Sequence, residues 1–235
     1  MKLTVSELLS KLDLMLEQTT VYATGAFGAS IGNFPAQAKR YADNMYNAVY
    51  KEDINAGKTK AYAEKDAETW RQKVYTTAKI KPSFAFDCVG VIKSAAWSWV
   101  ADPNSVYGGA VYESNDFGDW GAGSGKDDII THCTDVSTDF SKIVTGEMLW
   151  LNGHVGVYVG DGMVVECTTA WDNKVQKVEC WNVKKTGRGR RWIAHGKLPF
   201  VDYGTQPEII CPVCKAHFIL KCGEENERRK ENNRG

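Results

Sequence analysis

The sequence lacks a long hydrophobic run and an excess of either charge. Lys93 and other charged residues interrupt every apolar stretch before the roughly 20 residues that a membrane-spanning helix needs. Lysine plus arginine and aspartate plus glutamate each number 29, so the formal net charge is zero. We therefore expect no membrane span and no binding of nucleic acid.

The first residues also lack the apolar block of a secretory signal peptide, because Glu7, Lys11 and Asp13 interrupt them. Seven cysteines are an odd number and are spread along the chain, unlike the framework of a small disulfide-bonded domain. We expect synthesis in a reducing cytoplasm. The composition turns charged and polar late in the chain, which predicts one domain over residues 1–203 and a tail over 204–235, with a disordered end.

The first third of the chain has the pattern of helices. Thr4 and Glu7 form a capping box, and apolar residues follow at helical spacing to about Gln18. Two further helices are polar and rich in lysine, and the first of them begins at Pro35. Their charge pattern predicts a solvated helical insertion over about 35–80.

The pattern changes to short alternating runs after Thr145. The predicted strands are Glu147–Leu151, Val155–Val159 and Met163–Cys167, with weaker candidates at Val175–Val178 and Arg191–Ala194. Gly160-Asp161-Gly162 favours a tight hairpin turn. Helices followed by antiparallel strands predict an α+β fold, in which N-terminal helices pack on a C-terminal antiparallel sheet.

Cys88 lies where a helix is predicted to begin. Asp87 is a favourable N-cap, and Val91 and Ile92 follow at helical spacing, which places Cys88 in the first turn. A helix N-terminus favours a thiolate over a thiol, and its N–H groups can hold an oxyanion. A cysteine among apolar residues is more often an inert core side chain. The hypothesis that Cys88 is a nucleophile therefore depends on whether the sequence also supplies a base and an acid to act with it.

His154 begins one predicted strand, and Glu166 lies near the end of the next. Their positions share parity, so both side chains point to one face across a tight hairpin. A carboxylate beside a histidine fixes its tautomer. With Cys88, the two residues supply the parts of a Cys-His-acid catalytic group. His132 and His195 are not candidates for the base, and His195 is interpreted as structural.

Two segments around these residues carry a resemblance, Phe86–Ile92 (FDCVGVI) and Thr145–Gly162 (TGEMLWLNGHVGVYVGDG). They resemble the signature blocks of the NlpC-type, papain-like peptidoglycan cysteine peptidases. Tyr22 falls where that family has a pocket tyrosine ahead of two glycines. Trp192–Pro199 is similar to the closing segment of bacteriophage-borne and gut-bacterial members, and the resemblance covers about residues 22–203.

The resemblance implies a papain-like core with Cys88 as nucleophile, His154 as base and Glu166 as the orienting acid. Tyr22 and Asp87 would line the oxyanion and substrate pocket. The implied partner is bacterial peptidoglycan, and the usual target is the bond between γ-D-glutamate and the following diamino acid. No cofactor is required for that chemistry. An endolysin-like protein without a signal peptide would reach the wall after release or by another export route.

Two departures from the family pattern stand at the site. The third catalytic position is usually histidine, asparagine or glutamine but is Glu166 here, and one glycine of the pair after Tyr22 is replaced by Ala26. One alternative function is an N-acetylmuramoyl-L-alanine amidase or another thiol acyltransferase of the same fold. Another is a non-catalytic wall-binding module. The sequence gives no indication of oligomeric state.

The tail contains the start of a zinc-knuckle pattern. Cys211 and Cys214 have the spacing of a zinc-binding pair, and His217 and Cys222 are candidates for the other ligands. The short interval between Cys214 and His217 is tight for a standard finger. A structural zinc ion and a metal-free tail therefore remain as alternatives.

Overall fold

The computed structural model describes residues 2–112, 118–123, 125–185 and 188–204, and the backbone of 208–210 and 217–219. The chain forms two compact units, Met1–Asp202 and Tyr203–Gly235. The first unit combines helices with a large mixed sheet, so the coarse prediction of an α+β fold is confirmed. In the second unit, two short strands pair antiparallel, Glu208–Ile210 with His217–Ile219.

The helices of the first unit are short, apart from two that form a hairpin. They are α1 (Val5–Leu16), α2 (Pro35–Asn55), α3 (Lys60–Ala78), α4 (Cys88–Ala96), α5 (Ile129–His132) and α6 (Trp181–Lys184). The predicted capping box begins α1, since the Glu7 N–H donates to Thr4 Oγ1 at 3.2 Å and the Thr4 N–H donates to Glu7 Oε2 at 2.7 Å. No helix in the described part of the chain is both long and apolar enough to cross a membrane.

The strands of the first unit form one large sheet and two small ones. They are β1 (Leu3–Thr4), β2 (Thr20–Tyr22), β3 (Phe27–Ser30), β4 (Phe84–Phe86), β5 (Thr134–Ser137), β6 (Met148–Leu151), β7 (His154–Gly160), β8 (Met163–Cys167), β9 (Val175–Cys180), β10 (Gly189–Arg190), β11 (Ala194–Lys197) and β12 (Val201–Asp202). The seven-stranded sheet has the order β10-β9-β8-β7-β6-β11-β5. Its neighbours are antiparallel except β9 and β10, which are parallel. The other sheets are β2-β4-β3 and β1-β12.

The central hairpin of the large sheet follows the sequence prediction. Asp161 and Gly162 connect β7 to β8 with φ angles of 51° and 66°, the left-handed region that a tight hairpin turn requires. The weak strand candidate Arg191–Ala194 is wrong in position, because the strand is Ala194–Lys197. The shift has a tertiary cause, since His195 lies opposite Leu149 of β6 in the antiparallel register.

The prediction of a solvated helical insertion is wrong for one face of α2 and α3. Tyr41, Met45 and Val74 are fully buried, in one cluster with Val21 of β2 and Ala85 of β4. The charged residues occupy the other face of each helix. Both helices also contain many alanines and short polar side chains, which make the amphipathic pattern hard to see in the sequence. The two helices therefore form part of the hydrophobic core beside the small sheet.

The strand β4 of the three-stranded sheet leads directly into α4. Phe84 and Phe86 of β4 are fully buried, and the Trp99 ring meets both edge-on at centroid distances of 5.1 and 5.2 Å. The Trp99 indole N–H donates to the carbonyl of Gly28 at 3.0 Å. This packing holds β3, β4 and α4 together, and α4 also contacts β7 and β8 of the large sheet.

Candidate active site

Asp87 joins the start of α4 to a neighbouring turn. Its Oδ1 accepts the N–H of Gly90 at 2.5 Å, which is the predicted N-cap bond. Its Oδ2 accepts the N–H of Gly25 at 2.8 Å. Burial raises the pKa of Asp87 above its ordinary value, and the two backbone donors act in the opposite direction. One half-buried carboxyl group therefore positions both Cys88 and the turn at Gly25.

Gly90 allows α4 to approach the chain at Ala26. A Cβ at position 90 would lie 1.9 Å from the carbonyl oxygen of Ala26 and 2.9 Å from Asp87 Oδ1. Since the first of these atoms belongs to the backbone, a side chain there would displace the helix start. Glycine is therefore required for the position of Cys88.

Cys88 is the first residue of α4 and is 6% exposed. The N–H groups of Val155 and Val89 approach its sulfur and lower its pKa, but burial and the neighbouring Asp87 act more strongly. The net effect raises the pKa of Cys88 to about 12. The helix start favours a thiolate at Cys88, but burial opposes the thiolate more strongly, so the side chain is a thiol. To act as a nucleophile, this thiol needs a base that removes its proton.

His154 and Glu166 form a buried pair, as the strand parity predicted. His154 Nε2 lies 2.6 Å from Glu166 Oε2, and the glutamate side chain has no exposed surface. Because Glu166 holds Nε2, Nδ1 is the ring nitrogen that can accept a proton. Val155, the residue after His154, directs its N–H to the sulfur of Cys88. The fold therefore brings the beginning of β7 to the beginning of α4.

Arg190 is the second hydrogen-bond partner of Glu166, and no sequence pattern predicts this role. Its Nε donates to the same Glu166 oxygen at 2.9 Å, and its Nη2 donates to Thr168 Oγ1 at 2.6 Å. The guanidinium also lies 5.1 Å from the centroid of the Trp171 ring. No local motif marks Arg190, because it lies 24 positions from Glu166 in the chain and only the tertiary structure brings the two together.

Trp192 covers the histidine ring. The two rings stack at a centroid distance of 5.6 Å and an interplanar angle of 17°. Trp192 is 3% exposed, so it screens the His154–Glu166 bond from water. Trp192 belongs to the closing segment Trp192–Pro199, and no sequence pattern predicts its contact with His154.

Tyr22 lies beside the strand that leads into Cys88. It stands beside Phe86 in the parallel register of β2 and β4, which places it next to the Asp87–Cys88 step. Burial raises the pKa of its phenol far above the ordinary value, and the nearby Cys88 and Asp87 add to this effect. The hydroxyl therefore remains protonated and can donate a hydrogen bond.

A second buried histidine–carboxylate pair lies elsewhere in the large sheet. His195 Nδ1 is 2.6 Å from Glu147 Oε2, and Nε2 is 3.1 Å from the carbonyl oxygen of Asp139. With both ring nitrogens engaged, His195 has no free position for proton transfer, which agrees with its interpretation as structural. His132 stacks on Trp120 at a centroid distance of 3.9 Å.

The predicted zinc ligands cannot be placed together from the described part of the chain. Cys211, Cys214 and Cys222 lie outside it, and of His217 only the backbone is described. Among the residues whose side chains are described, no group of three His, Cys, Asp or Glu is arranged to hold a metal ion.

No protein-family model, curated protein or solved structure matches the chain. The site combines a thiol at a helix start (Cys88), an imidazole at the start of β7 (His154) and a buried carboxylate bonded to that imidazole (Glu166). Groups of these types are the ones that acyl transfer through a thioester uses.

Proposed function

We propose that the protein is a cysteine hydrolase with a papain-like core that cleaves an amide bond in the peptide stem of bacterial peptidoglycan. The observation that carries the proposal is the buried His154–Glu166 bond of 2.6 Å at the strand start whose next N–H approaches the Cys88 sulfur. Burying a histidine and a carboxyl group together is costly for packing alone. Next to a buried thiol, the pair can accept the thiol proton.

The reaction begins with proton transfer from Cys88 to Nδ1 of His154. Because burial raises the pKa of the thiol to about 12, the transfer accompanies attack on the substrate carbonyl rather than preceding it. The new S–C bond places a negative charge on the carbonyl oxygen. We propose that the backbone N–H of Cys88 and the Tyr22 hydroxyl donate hydrogen bonds to this oxyanion.

The imidazolium of His154 then protonates the leaving nitrogen as the C–N bond breaks. The product amine departs and leaves a thioester on Cys88. His154, neutral again, takes a proton from water as the water oxygen attacks the thioester carbonyl. The second intermediate then breaks its C–S bond and releases the carboxylic acid product, and the imidazolium returns its proton to the sulfur of Cys88. Glu166 stabilises the imidazolium in both halves of the cycle.

The substrate class is proposed from the sequence resemblance. The segments Phe86–Ile92 and Thr145–Gly162 resemble the NlpC-type signature blocks, and they contribute Cys88 and His154 to one site. In that family the usual scissile bond joins γ-D-glutamate to the following diamino acid. We propose the same bond here, which makes the protein a cell-wall lytic endopeptidase of the endolysin type.

Digestion of purified peptidoglycan tests this proposal directly. We expect the wild-type protein to release fragments with a new free amine on the diamino acid, detected by mass spectrometry of the digest. Wall incubated without protein is the control. A new amine on L-alanine would instead identify an N-acetylmuramoyl-L-alanine amidase. Absence of any new amine, with folded protein, would contradict hydrolysis.

Replacement of Arg190 tests whether its hydrogen bond to Glu166 is needed by the proposed catalytic pair. In Arg190→Met, Glu166 loses one of its two hydrogen-bonded partners, so His154 is held less firmly. We expect kcat to fall by about 10–100-fold, the usual cost of losing an outer partner of a functional group, with little change in KM. Arg190→Lys keeps the charge but cannot donate from Nε, and should lie between the two.

The neighbouring Arg191 offers the matched control. Its guanidinium stacks on Trp181 at 4.8 Å from the ring centroid. Arg191→Met removes the same side chain from the next position and should leave kcat within about twofold of wild type. An equal loss of kcat in both variants would show that Arg190 contributes only to general packing.

A further inference from the structure

A polar trough lies between α3 and the segment that connects β8 to β9. Its volume is about 470 Å³. Thr69, Gln72 and Thr76 of α3 form one wall, and Trp171 and Asn173 form the other. None of these residues belongs to the proposed catalytic group.

The charged side chains of the trough already have partners. Lys73 directs its ammonium group to the Trp70 ring, 3.3 Å from the centroid. Asp172 accepts a hydrogen bond from Arg188 at 3.0 Å. The remaining lining groups are hydroxyls and amides, so the chemistry of the trough suits an uncharged, polar ligand.

Those neutral groups present mainly hydrogen-bond acceptors. Thr69 donates its hydroxyl to the Lys65 carbonyl at 2.9 Å, which leaves its oxygen lone pairs available. Gln72 donates its amide nitrogen to Glu68 at 2.6 Å, which leaves its amide oxygen. An acceptor-rich wall selects a ligand that carries many O–H or N–H donors.

Asn173 and Trp171 indicate the chemical class of such a ligand. Asn173 Oδ1 is buried and has no hydrogen-bond partner within the described residues, and an orphaned acceptor of this kind is costly unless something donates to it. Trp171 is 38% exposed, and an indole offers a flat apolar surface. Sugar rings combine many hydroxyl donors with an apolar face, and so match both features.

The trough adjoins the proposed catalytic site along β2. Thr20 lines the trough, and Tyr22, two residues later, points to the same side of the strand, about 7 Å away. The Tyr22 N–H donates to the Asn173 carbonyl at 3.1 Å. On the other side, the Trp171 ring contacts Arg190, which bonds Glu166.

We propose that this trough is a saccharide-binding subsite. Resting on the proposed function, its ligand is the N-acetylated glycan strand to which the stem peptide is attached. The Trp171 ring packs against one sugar face, and Asn173 Oδ1 accepts a hydrogen bond from a hydroxyl or acetamido N–H. A peptide cut near Cys88 then remains joined to sugars held beside Tyr22.

Calorimetric titration with the β-1,4-linked tetramer of N-acetylglucosamine tests the subsite without any hydrolysis. We expect the wild-type chain to bind the tetramer, and Trp171→Gly to weaken binding by at least about tenfold. Asn173→Gly should weaken it as well. Glycine is the suitable replacement because Trp171 and Asn173 have φ angles of 56° and 53°, which glycine adopts without strain.

Tyr62→Ala is the matched control. Tyr62 is an aromatic side chain of α3 that is 51% exposed and does not line the trough. Its removal should therefore leave the affinity for the tetramer unchanged. Thermal unfolding of each variant establishes that the fold is intact. No binding by the wild-type chain, or unchanged binding by an intact Trp171→Gly variant, would overturn the subsite.

A second measurement separates this proposal from the proposed function. We expect Trp171→Gly to lower kcat/KM on intact peptidoglycan while leaving kcat/KM on a free stem peptide unchanged. Equal losses on both substrates would contradict a glycan subsite and leave the hydrolase intact. Binding of the tetramer by a chain that cleaves neither substrate would support the subsite and contradict the hydrolase.

Discussion

Cys88→Ala is expected to reduce peptidoglycan hydrolysis by about 10⁴-fold or more, because no other group at the site can form the acyl intermediate. The change removes one sulfur from a side chain that is 6% exposed, so the fold should persist. Clearing of a wall suspension and mass spectrometry of the released fragments measure the loss. Residual cleavage would come from the oxyanion donors and substrate binding alone.

Cys180→Ala is the matched control for that result. Cys180 is also a free, fully buried cysteine, but it ends β9 and packs in the cluster of Leu149, Tyr158 and Trp192. The substitution makes a cavity of the same size without touching the nucleophile, so the rate should stay close to wild type. Equal activity of Cys88→Ala and the wild-type protein would refute the assignment of the nucleophile.

Glu147→Ala is expected to lower the free energy of unfolding by about 3–5 kcal/mol, the usual cost of removing one partner from a buried charged pair. Glu147 is 3% exposed and His195 is 2% exposed, so the ring nitrogen that loses its acceptor cannot recover it from water. The Val144 N–H, which donates to Glu147 Oε2 at 3.2 Å, loses its acceptor as well. Denaturation by urea measures the change.

Glu64→Ala provides the comparison at the surface. Glu64 pairs with Lys60 across one turn of α3 at 3.6 Å, and its side chain is 49% exposed. Such a pair contributes at most about 1 kcal/mol, so the same substitution should have a small effect there. A loss below about 1 kcal/mol in Glu147→Ala would show that the buried pair is not a structural support.

The two histidine–glutamate pairs show why a sequence pattern does not identify a base by itself. In each pair the distance from a histidine ring nitrogen to the glutamate Oε2 is 2.6 Å. Both pairs are buried beside the large sheet. His195 also engages its second nitrogen with the Asp139 carbonyl, whereas His154 stands beside the residue whose N–H approaches Cys88. The difference between them is one of position in the fold.

Local sequence determined the features that depend on neighbours along the chain. The capping box at Thr4, the N-cap at Asp87 and the hairpin at Asp161–Gly162 each involve residues a few positions apart. For that reason, they form as the pattern predicts. The same holds for His154 and Glu166, because strand alternation across a tight turn places both on one face.

Only the tertiary structure decided which distant residues meet. Arg190 bonds Glu166 from 24 positions away in the chain. The helices α2 and α3 bury one face although their composition is polar. The high pKa of Cys88 also belongs to this level, because burial by other segments outweighs the local field of the helix start. Local hydrogen bonds are specified by spacing in the chain, whereas burial and long-range contacts are specified by the packing of the whole domain.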